Sequence, residues 1–484
     1  MNFIFHMPDS LRAESIGCYG HASVQTPNFD RVAKEGVVFE QCFSQSPFCT
    51  PSRCSMVTGL YPHVHGHRTM EYFLDAGRQP SLFRYLKDAG YHVEWIGKND
   101  MYDPASDMAK VVSGSAGYQT YARERLESGR SKGSLQCGQP ACEYGTPGYY
   151  NFMCKPPRQE GEFDITQTRD GAYAATAVEF LRSAKAKTEP FALFIAGVMP
   201  HPPYGVPDPW YSMYDPSHVA SLRGIDLPGA PAYRSVYRTY FGWDLEDEQF
   251  FKRMQAVYLG MVSYTDMLFG HILSAVDDNG LADRTAVFVF SDHGDYGGDY
   301  GIGHKCVGSM EDVHLRIPFI ARVPGMKSGH RVSEPIELFD IMPTTLDLAG
   351  VPCTHQHFAK TLTPQLAGAP GDPDRAVYAE GGFPEGEPHL LDFCLKDLHD
   401  PKCVYHPLFL INRNHPETQR TCAMMRFGRY KLVYRWDENS ELYDMCEDPR
   451  EERNLYSDAG YASVRCELTS KLLKWYMETS DLTP

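Results

Sequence analysis

The sequence lacks the segments that mark secreted, membrane-spanning and nucleic-acid-binding proteins. The apolar run at its start, "MNFIF", is about five residues long, whereas the hydrophobic region of a secretory signal spans roughly 7–15. We find no apolar run elsewhere that approaches the length of a transmembrane helix. No block of Lys and Arg stands out, and the formal net charge is -16. We therefore expect a cytoplasmic protein with neither nucleic acid nor a membrane among its partners.

The 14 cysteines lack the regular spacing of a disulfide framework, so mostly reduced thiols are expected. The segment "CGQPAC", with Cys137 and Cys142, is similar to half of a metal site, but no second half is evident. A loop with two thiols is the better interpretation of this segment. No internal repeat is present. The 484 residues are 42% hydrophobic and 22% charged, which is typical of globular proteins and allows a large core plus a smaller domain.

The first 350 residues alternate strand-like and helix-like patterns. The unbroken apolar run "FALFIAGV" lies between Pro190 and Pro200, which is typical of a central strand in a covered sheet. The segment "TPNFDRVAKEG" places Pro27 at the first helical position and Gly36 after the last, which predicts a helix. Repeated alternation of this kind predicts an α/β fold, with a mostly parallel sheet sandwiched by helices.

The pattern changes after about residue 375. Short strand-like segments ("CAMMRFG", "RYKLVYRW" and "ELYD") precede a helical pattern at 462–478. We predict an α/β domain at 1–375 and a small α+β domain, built on an antiparallel sheet, at 376–484. Residues 105–165 and 380–420 are long and irregular, and the sequence leaves open whether they are lids, specificity loops or plain surface insertions.

Ionisable residues follow four of the predicted strands: Asp9, Lys98, His201, and Asp292 with His293. In open α/β sheets, ligands bind beyond the carboxyl ends of the strands, so this convergence predicts a site. The two carboxylates suit Ca²⁺ or Mg²⁺, and the imidazole would also admit Mn²⁺ or Zn²⁺. The alternatives to a role in the site are purely structural: a helix-capping or turn residue for Asp9, and a hydrogen-bonded loop histidine for His293.

The segment "PFCTPSRCSMVTG" places Cys49 just before a predicted helix, "SRCSMVTGL". Free backbone N–H groups and the helix dipole favour negative charge there. Arg53, one turn further on, adds a charge that cannot lose its proton. This pattern predicts an oxyanion site that would stabilise a thiolate at Cys49.

The stretch "CTPSRCSMVTG" resembles the signature of the type I sulfatases, in which the cysteine is oxidised after translation to formylglycine. Further segments resemble this family over most of the chain: "DSLRAESIGCYG", "GYHVEWIGK", "MPHPPYGVPDPWYSMYDP", "FSDHGDYGGDYGIGHK", "LFDIMPTTLDLAGVP" and "GRYKLVYRWDENSELYDMCEDPREERNL". The resemblance implies the fold of the alkaline phosphatase superfamily, with a large α/β domain and a small domain that contains a four-stranded antiparallel sheet.

The resemblance also implies a role for each matched residue. Cys49, as formylglycine, would be the nucleophile, and Arg53 would orient it. Asp9, Cys49, Asp292 and His293 would bind the cation. Lys98 and Lys305 would contact the sulfate oxygens, and His201 would lie near the leaving group. The resemblance implies a divalent cation as the cofactor, with Ca²⁺ as the first candidate and Mn²⁺ as the second. A formylglycine-generating maturation enzyme is the implied protein partner.

The sequence departs from the family pattern at three positions. Ser10 replaces a second aspartate, Asp100 stands in place of a histidine, and Tyr300 stands where a histidine is frequent. We assign Asp100 to the catalytic residues, with a helix-capping aspartate as the alternative. His304, beside Lys305, is assigned to substrate binding, with a position behind the site as the alternative.

The segment "YPHVHGHRTM" carries three histidines at alternate positions, like zinc ligands on a strand. Its Pro62 and Gly66 break strand character, so a loop is predicted instead. His65 and His67 are weak candidates for substrate contacts, and a solvated loop is the better interpretation.

Three hypotheses follow from the resemblance. The first is a sulfatase that hydrolyses the ester of a small sulfated saccharide or of an aryl or alkyl alcohol. The second is a phosphonate monoester or phosphodiester hydrolase that uses the same residues. The third is an inactive binding protein in which Cys49 is never converted and the site only holds an oxyanion.

Overall fold

The computed structural model describes residues 1–113, 139–158, 162–184, 189–387, 398–436 and 439–480. Cys137 of the "CGQPAC" segment lies outside these residues, as do parts of both irregular stretches. The irregular stretches are therefore discussed only through their described residues.

The main sheet has eight strands. They are β1 (Asn2–Asp9), β2 (Val37–Phe43), β3 (His92–Gly97), β4 (Phe191–Pro200), β5 (Thr285–Phe290), β6 (Arg316–Arg322), β7 (His330–Val332) and β8 (Ile336–Glu337). Their order is β3-β4-β1-β5-β6-β2-β7, and β8 pairs with β2. Neighbours are parallel except that β6 is antiparallel to both β5 and β2. The predicted mostly parallel sheet is confirmed.

Helices cover both faces of this sheet. Over the described residues they are α1 (Pro27–Glu35), α2 (Cys49–Thr58), α3 (Pro62–His65), α4 (Leu82–Asp88), α5 (Arg169–Ala184), α6 (Ala232–Phe241), α7 (Glu248–Asp278), α8 (Asp312–Leu315), α9 (Ile341–Ala349), α10 (Thr363–Leu366), α11 (His406–Asn414) and α12 (Ala462–Thr479). Helices α1, α5 and α7 share one buried apolar core, and α2, α4 and α9 share another. Because helices cover both faces, the central strands β4, β1 and β5 are mostly apolar and almost entirely buried.

Helix α7 is long and apolar enough, by length and composition alone, to cross a membrane. Within the protein, 78% of its most apolar 18-residue window is buried, and it packs against α1, α5 and β4. A core helix of this kind passes the same test as a membrane span. The expectation that no segment approaches the length of a transmembrane helix was therefore wrong, because a buried helix needs no continuous polar face.

The second sheet is antiparallel, in the order β12-β11-β10-β9. Its strands are β9 (Val377–Gly381), β10 (Cys422–Phe427), β11 (Tyr430–Arg435) and β12 (Glu441–Asp444). Helix α12 packs on it, with Trp475 stacked on Tyr378 at 4.4 Å between ring centroids. The predicted C-terminal antiparallel sheet is confirmed, whereas the domain boundary after residue 375 stays a prediction.

The topology brings five strand ends to one edge of the main sheet. Strands β3, β4, β1 and β5 are adjacent and parallel, so their carboxyl ends lie side by side. Strand β2 runs in the same direction, because it and β5 are both antiparallel to β6. Helix α2 follows β2 and therefore starts at the same edge. This is the edge where open α/β sheets bind ligands.

Candidate active site

Helix α2 begins at Cys49 itself, three residues earlier than the sequence predicts. Phe48 has an extended backbone and precedes the helix, and its carbonyl accepts the first helical hydrogen bond from the N–H of Ser52. Pro51 is tolerated because N–H groups in the first turn have no partner within the helix. All ten residues of α2 are buried, so Cys49 enters the site on a fixed element.

Four groups surround the sulfur of Cys49. Its Sγ lies 3.2 Å from Nε2 of His293 and 3.6 Å from Oδ2 of Asp9. The ammonium groups of Lys305 and Lys98 lie 3.1 Å and 3.4 Å from the same sulfur. Residues that are up to 256 positions apart in the chain thus meet around one thiol, as the strand-end argument predicts.

Arg53 joins the two carboxylates behind the sulfur. Its Nη2 donates to Oδ2 of Asp9 at 2.7 Å, and its Nε donates to Oδ2 of Asp292 at 2.8 Å. All three side chains are fully buried. Burial opposes ionisation, yet nearby cations hold the pKa of both carboxyls below its usual range; Lys98 acts most strongly on Asp9. The carboxylates therefore stay ionised and able to hold a cation.

His293 presents a lone pair to this cluster. Its Nδ1 lies 2.8 Å from the carbonyl oxygen of Gly294, so Nδ1 carries the hydrogen and Nε2 does not. Burial lowers the pKa of His293 to about 4, which keeps the ring neutral. A neutral imidazole fixed by a backbone carbonyl is the usual form of a metal-binding histidine.

The donor set fits a divalent cation. One donor atom from each of Asp9, Cys49, Asp292 and His293 lies within 4.8 Å of all the others, and all four residues are buried. Two ionised carboxylates offer hard oxygen atoms, and the imidazole adds a nitrogen. These are the four residues for which the sequence analysis predicted cation binding.

The thiol of Cys49 is protonated, contrary to the predicted thiolate. Burial and the negative charge of Asp9 raise its pKa to about 12, although Lys305 and Lys98 act in the opposite direction. The sequence pattern showed the helix start and Arg53 but could not show that Arg53 is already neutralised by two carboxylates. The predicted stabilisation of a thiolate was therefore wrong: burial and the charge of Asp9 outweigh the two lysines.

A sequence model of the family described as Sulfatase matches residues 1–351. The chain belongs to the sulfatase family. It is 25% identical over 493 residues to the uncharacterized sulfatase YidJ of Escherichia coli (strain K12), which covers 99% of this chain and 88% of that protein. It is 26% identical over 503 residues to arylsulfatase K of Danio rerio, with 98% of this chain and 83% of that protein covered.

The fold of this sulfatase is similar to that of the phosphonate monoester hydrolase of Agrobacterium radiobacter. The TM-score is 0.76 and the identity 23%, over 99% of this chain and 96% of that one. A structure solved in complex with its substrate D-glucosamine-2-N,6-O-disulfate has a TM-score of 0.72 and 20% identity, over 99% and 98%. The alkaline phosphatase-like fold and, at the level of the family, the prediction of a sulfuric ester hydrolase are confirmed.

Asp100 and Lys98 form an ion pair at the mouth of the sulfatase site. Oδ2 of Asp100 lies 2.7 Å from Nζ of Lys98, which also contacts Oδ2 of Asp9 at 2.6 Å. Despite burial, these carboxylates raise the pKa of Lys98 well above its usual value. The capping alternative for Asp100 is not seen, since the next helical turn along the chain is Met108–Lys110.

His201 and His304 lie together beside Lys305, with their rings perpendicular and 5.5 Å apart. Nδ1 of His201 contacts the carbonyl of Pro202, and Nδ1 of His304 lies 3.0 Å from the carbonyl of Lys305. Burial, reinforced by the charge of Lys305, lowers the pKa of both histidines well below the usual value. Both rings are therefore neutral and carry their hydrogen on Nδ1.

Two aromatic residues that no motif singled out lie against His304. Phe152 stacks on its ring at 4.9 Å, and Tyr405 lies at 5.7 Å. Phe152 comes from the irregular stretch 105–165 and Tyr405 from 380–420. Both stretches thus reach the site, which favours the specificity-loop interpretation. In the sequence, only the irregular composition of the two stretches could have indicated that they contact the site.

Ser10, where the family has a second aspartate, contacts both cation-binding carboxylates. Its Oγ donates to Oδ1 of Asp9 at 2.9 Å, and its N–H donates to Oδ1 of Asp292 at 3.2 Å. Its φ of 68° lies in the left-handed region, which is strained for a residue with a Cβ. In the sequence Ser10 is only a departure from the family pattern, and no local signal indicates its contacts to Asp9 and Asp292.

His67 and Tyr300 each contact a backbone carbonyl outside this cluster, and His65 lies on a short helix. Nδ1 of His67 lies 2.9 Å from the carbonyl of Tyr72, and His65 ends α3, which follows the far end of α2. Tyr300 donates its hydroxyl hydrogen to the carbonyl of Arg450 at 2.9 Å, in the C-terminal region. The segment is not a strand, as predicted, but the expected solvated loop was wrong: Pro62–His65 form a short helix and His67 is buried.

Proposed function

We propose that this sulfatase hydrolyses the sulfate ester of a small alcohol, with residue 49 as the nucleophile after its oxidation to formylglycine. One observation carries the proposal: the sulfur of Cys49 belongs to the group of residues that could hold a cation and lies within 3.4 Å of the ammonium groups of two lysines. A tetrahedral anion that approaches residue 49 would meet positive charge on the side where it must bind. The signature around Cys49 and the family match support the same conclusion.

Lys98 and Lys305 are suited to hold the sulfuryl oxygens. Their ammonium groups approach the same sulfur atom from within 3.4 Å, so both can reach an anion bound there. Lys98 is oriented by Asp9 and Asp100, which fix it in place before the substrate arrives. Positive groups that are already oriented stabilise charge on the transferring group most effectively.

Asp9, Asp292, His293 and residue 49 would hold the divalent cation, which would supply Lewis acidity, while the oxidised residue 49 would supply an oxygen nucleophile. Arg53 keeps the two carboxylates ionised and in place. Ca²⁺ is the first candidate for this ion and Mn²⁺ the second, since carboxylate oxygens dominate and one imidazole nitrogen is present.

His201 and His304, with Phe152 and Tyr405, would contact the leaving group. They form a wall of four rings beside Lys305, and flat apolar surfaces of this kind suit a sugar or aryl ring. A small sulfated saccharide is our first candidate for the substrate. The structural neighbour solved with a sulfated glucosamine supports this choice.

A phosphonate monoester or phosphodiester is the second candidate for the substrate. Two observations favour it: Ser10 replaces a charged ligand, and the fold is similar to a phosphonate monoester hydrolase with a TM-score of 0.76. With one fewer carboxylate near the cation, the site would carry a more positive charge. This would change its relative affinity for sulfate and phosphonate head groups.

The test uses full-length protein produced together with a formylglycine-generating enzyme, with conversion at residue 49 measured by intact mass spectrometry. We expect an aryl sulfate to be hydrolysed at least tenfold faster than the matching aryl phosphonate monoester. Faster hydrolysis of the aryl phosphonate monoester would establish the second candidate, a phosphonate monoester or phosphodiester. Fully converted protein that hydrolyses neither ester would overturn both and support a binding protein.

A second panel then identifies the alcohol. We expect sulfated mono- and disaccharides to be hydrolysed faster than choline sulfate or simple alkyl sulfates. The Cys49→Ala variant serves as the matched control, because it cannot be converted and should show no turnover of any ester. Rapid turnover of alkyl sulfates alone would contradict the saccharide assignment.

A further inference from the structure

We propose that Asp100 makes the site selective for head groups with one negative charge, so that dianions, including the sulfate product, bind less tightly. The head group is the tetrahedral anion that residue 49 attacks. This inference deepens the proposed function and rests on it for the identity of the reaction. The contacts that carry it join Asp100, Lys98 and Cys49 and do not depend on turnover.

One ammonium group connects Asp100 to the sulfur of Cys49. Nζ of Lys98 lies 2.7 Å from Oδ2 of Asp100 and 3.4 Å from Sγ of Cys49, so the carboxylate oxygen lies at most about 6 Å from that sulfur. An anion that Lys98 holds beside residue 49 is therefore also in the field of Asp100. At this distance unit charges interact strongly unless water screens them.

Water screens this ion pair only in part. The side chain of Asp100 is 23% exposed and that of Lys98 is 22% exposed, while Asp9, which shares the ammonium group, is fully buried. The field of Asp100 also extends into the interior. Burial opposes the charge on Arg53, but Asp292, Asp9 and Asp100 together raise the pKa of this side chain above its usual value.

The backbone holds Asp100 in this position. Its φ of 38° lies in the left-handed region, which Asn and Asp tolerate better than most residues with a Cβ. The side chain of the preceding residue, Asn99, is buried and closes the turn. Its Oδ1 accepts the N–H of Tyr102 at 3.0 Å and that of Met101 at 3.3 Å. A carboxylate on a turn fixed in this way keeps its place when a head group binds.

Asp100 places a negative charge on the head-group side of the site. Three positive and three negative side chains form the network around residue 49: Arg53, Lys98, Lys305, Asp9, Asp292 and Asp100. Two of the carboxylates belong to the candidate cation site, whereas Asp100 pairs with a lysine at the mouth. Ser10 removes a carboxylate beside the cation, and Asp100 adds one beside the head group. The two departures from the family pattern thus move a negative charge from one side of the site to the other.

Hydrolysis changes the charge of the head group. A sulfate ester carries one negative charge, and its reaction with water gives an alcohol, a sulfate dianion and a proton. Phosphonate monoesters and phosphodiesters also carry one charge, whereas a phosphate monoester carries nearly two at pH 7. A fixed carboxylate beside Lys98 therefore repels the sulfate product and phosphate monoesters more than either candidate substrate. It would favour release of sulfate and exclude phosphate monoesters.

Two simple anions separate the effect of charge from that of shape. Methanesulfonate and sulfate are both tetrahedral and present oxygen atoms to the site, but they carry one and two charges. Calorimetric titration of the full chain, loaded with Mn²⁺ and kept at constant ionic strength, gives both affinities without turnover. We expect Asp100→Asn to tighten sulfate binding roughly tenfold more than methanesulfonate binding, because the second charge is no longer repelled. Asparagine keeps the size of the side chain, an acceptor for Lys98 and the tolerance of a positive φ.

Two further variants define the effect. Asp100→Glu keeps the charge and should retain the wild-type ratio of the two affinities, whereas Asp100→Ser is neutral and should repeat the asparagine result if that variant unfolds. Asp88→Asn is the matched control. Its carboxylate is 63% exposed beside Arg84 at the end of α4, before β3 begins, and therefore lies at the opposite edge of the sheet. It should leave both affinities unchanged.

Equal changes for the two anions in the neutral variants overturn the proposal, because Asp100 would then only orient Lys98. The same shift in Asp100→Glu as in Asp100→Asn overturns it as well. In protein with formylglycine at residue 49, the inhibition constant of sulfate should also fall about tenfold in Asp100→Asn. The titrations need no turnover, so their failure leaves the sulfatase assignment standing, and a protein that hydrolyses no ester leaves the charge selectivity open to the same measurement.

Discussion

The hydroxyl group of Ser10 donates a 2.9 Å hydrogen bond to Oδ1 of Asp9, while its N–H donates to Asp292. A neutral residue at the family's aspartate position thus orients two ligands instead of adding a third carboxylate. Removing the hydroxyl leaves Oδ1 of Asp9 without this donor, although Arg53 and Lys98 still hold Oδ2. Groups that orient metal ligands are typically worth 10–100-fold in affinity.

We therefore expect Ser10→Ala to weaken binding of the divalent cation to the protein with formylglycine at residue 49 by roughly tenfold or more. Calorimetric titration of metal-free protein measures this, and the metal concentration at half-maximal activity provides a second value. Ser10→Gly is the matched control for the backbone, because glycine adopts the φ of 68° without strain. Unchanged affinity in both variants would show that the hydroxyl has no part in orienting Asp9.

Lys305→Met tests the predicted contact to the sulfuryl oxygens. The ammonium group of Lys305 is buried and lies 3.1 Å from the sulfur of Cys49, and its loss would leave only that of Lys98 as a lysine contact to this atom among the described residues. Loss of one oriented positive group typically lowers kcat by about 10²–10³. The rate on an aryl sulfate should fall by this amount, with little change in thermal unfolding.

Lys360→Met is the matched control for this variant, since Lys360 and its partner Asp372 are both exposed. It should leave the rate and the stability unchanged. A Lys305→Met variant that retains most of the wild-type kcat would exclude Lys305 from the catalytic residues.

Tyr405→Ala tests the wall of aromatic rings. Tyr405 contacts Phe152 at 5.2 Å and His304 at 5.7 Å, so its removal opens the side where the leaving group is proposed to lie. We expect KM for a sulfated saccharide to rise roughly tenfold, a cost of 1–3 kcal/mol being usual for one apolar contact. The value of kcat should change little.

The same variant assayed with a small alkyl sulfate should show no rise in KM, because that substrate does not reach the ring. Tyr434→Ala is the control, since Tyr434 is exposed on the second sheet. Equal effects of Tyr405→Ala on small and large substrates would argue that Tyr405 only supports the fold.

Glu311→Gln tests a buried network behind the site. Glu311 accepts a 2.6 Å bond from Arg234, a 2.9 Å bond from Tyr296 and a further bond from Tyr233. Burial opposes its ionisation, but Arg234 and Tyr233 hold its pKa well below the usual range. The variant leaves Arg234 buried with a neutral partner, which should cost about 3 kcal/mol of stability at pH 7.

The pH dependence of this effect follows from the sign of the shift. A lowered pKa means that the contribution of Glu311 is present above the unfolded pKa of about 4.3 and is lost as the pH falls below it. The difference between wild type and Glu311→Gln in urea unfolding should therefore shrink between pH 5 and pH 3. A difference that stays constant over this range would mean that the ionised form contributes nothing. Glu248→Gln is the control, because the carboxylate of Glu248 is exposed where it pairs with the half-buried Lys252.

The sequence alone predicted the architecture and brought together the residues of the candidate cation site. Apolar runs and helix boundaries are local patterns, and they predicted the parallel sheet and the antiparallel C-terminal sheet. Asp9, Asp292 and Lys98 were found because carboxyl ends of parallel strands meet at one edge, so position in the chain predicts position in space. Cys49 and Arg53 were found because their signature is short and continuous.

Only the tertiary structure decided the properties that depend on burial and on distant neighbours. The protonation of the Cys49 thiol depends on its depth and on Asp9, 40 residues away, which no local pattern records. The orienting role of Ser10 depends on Asp292, and the contact between Phe152 and Tyr405 joins two irregular stretches. Electrostatic free energies and ring contacts act through space, whereas sequence patterns report only neighbours along the chain.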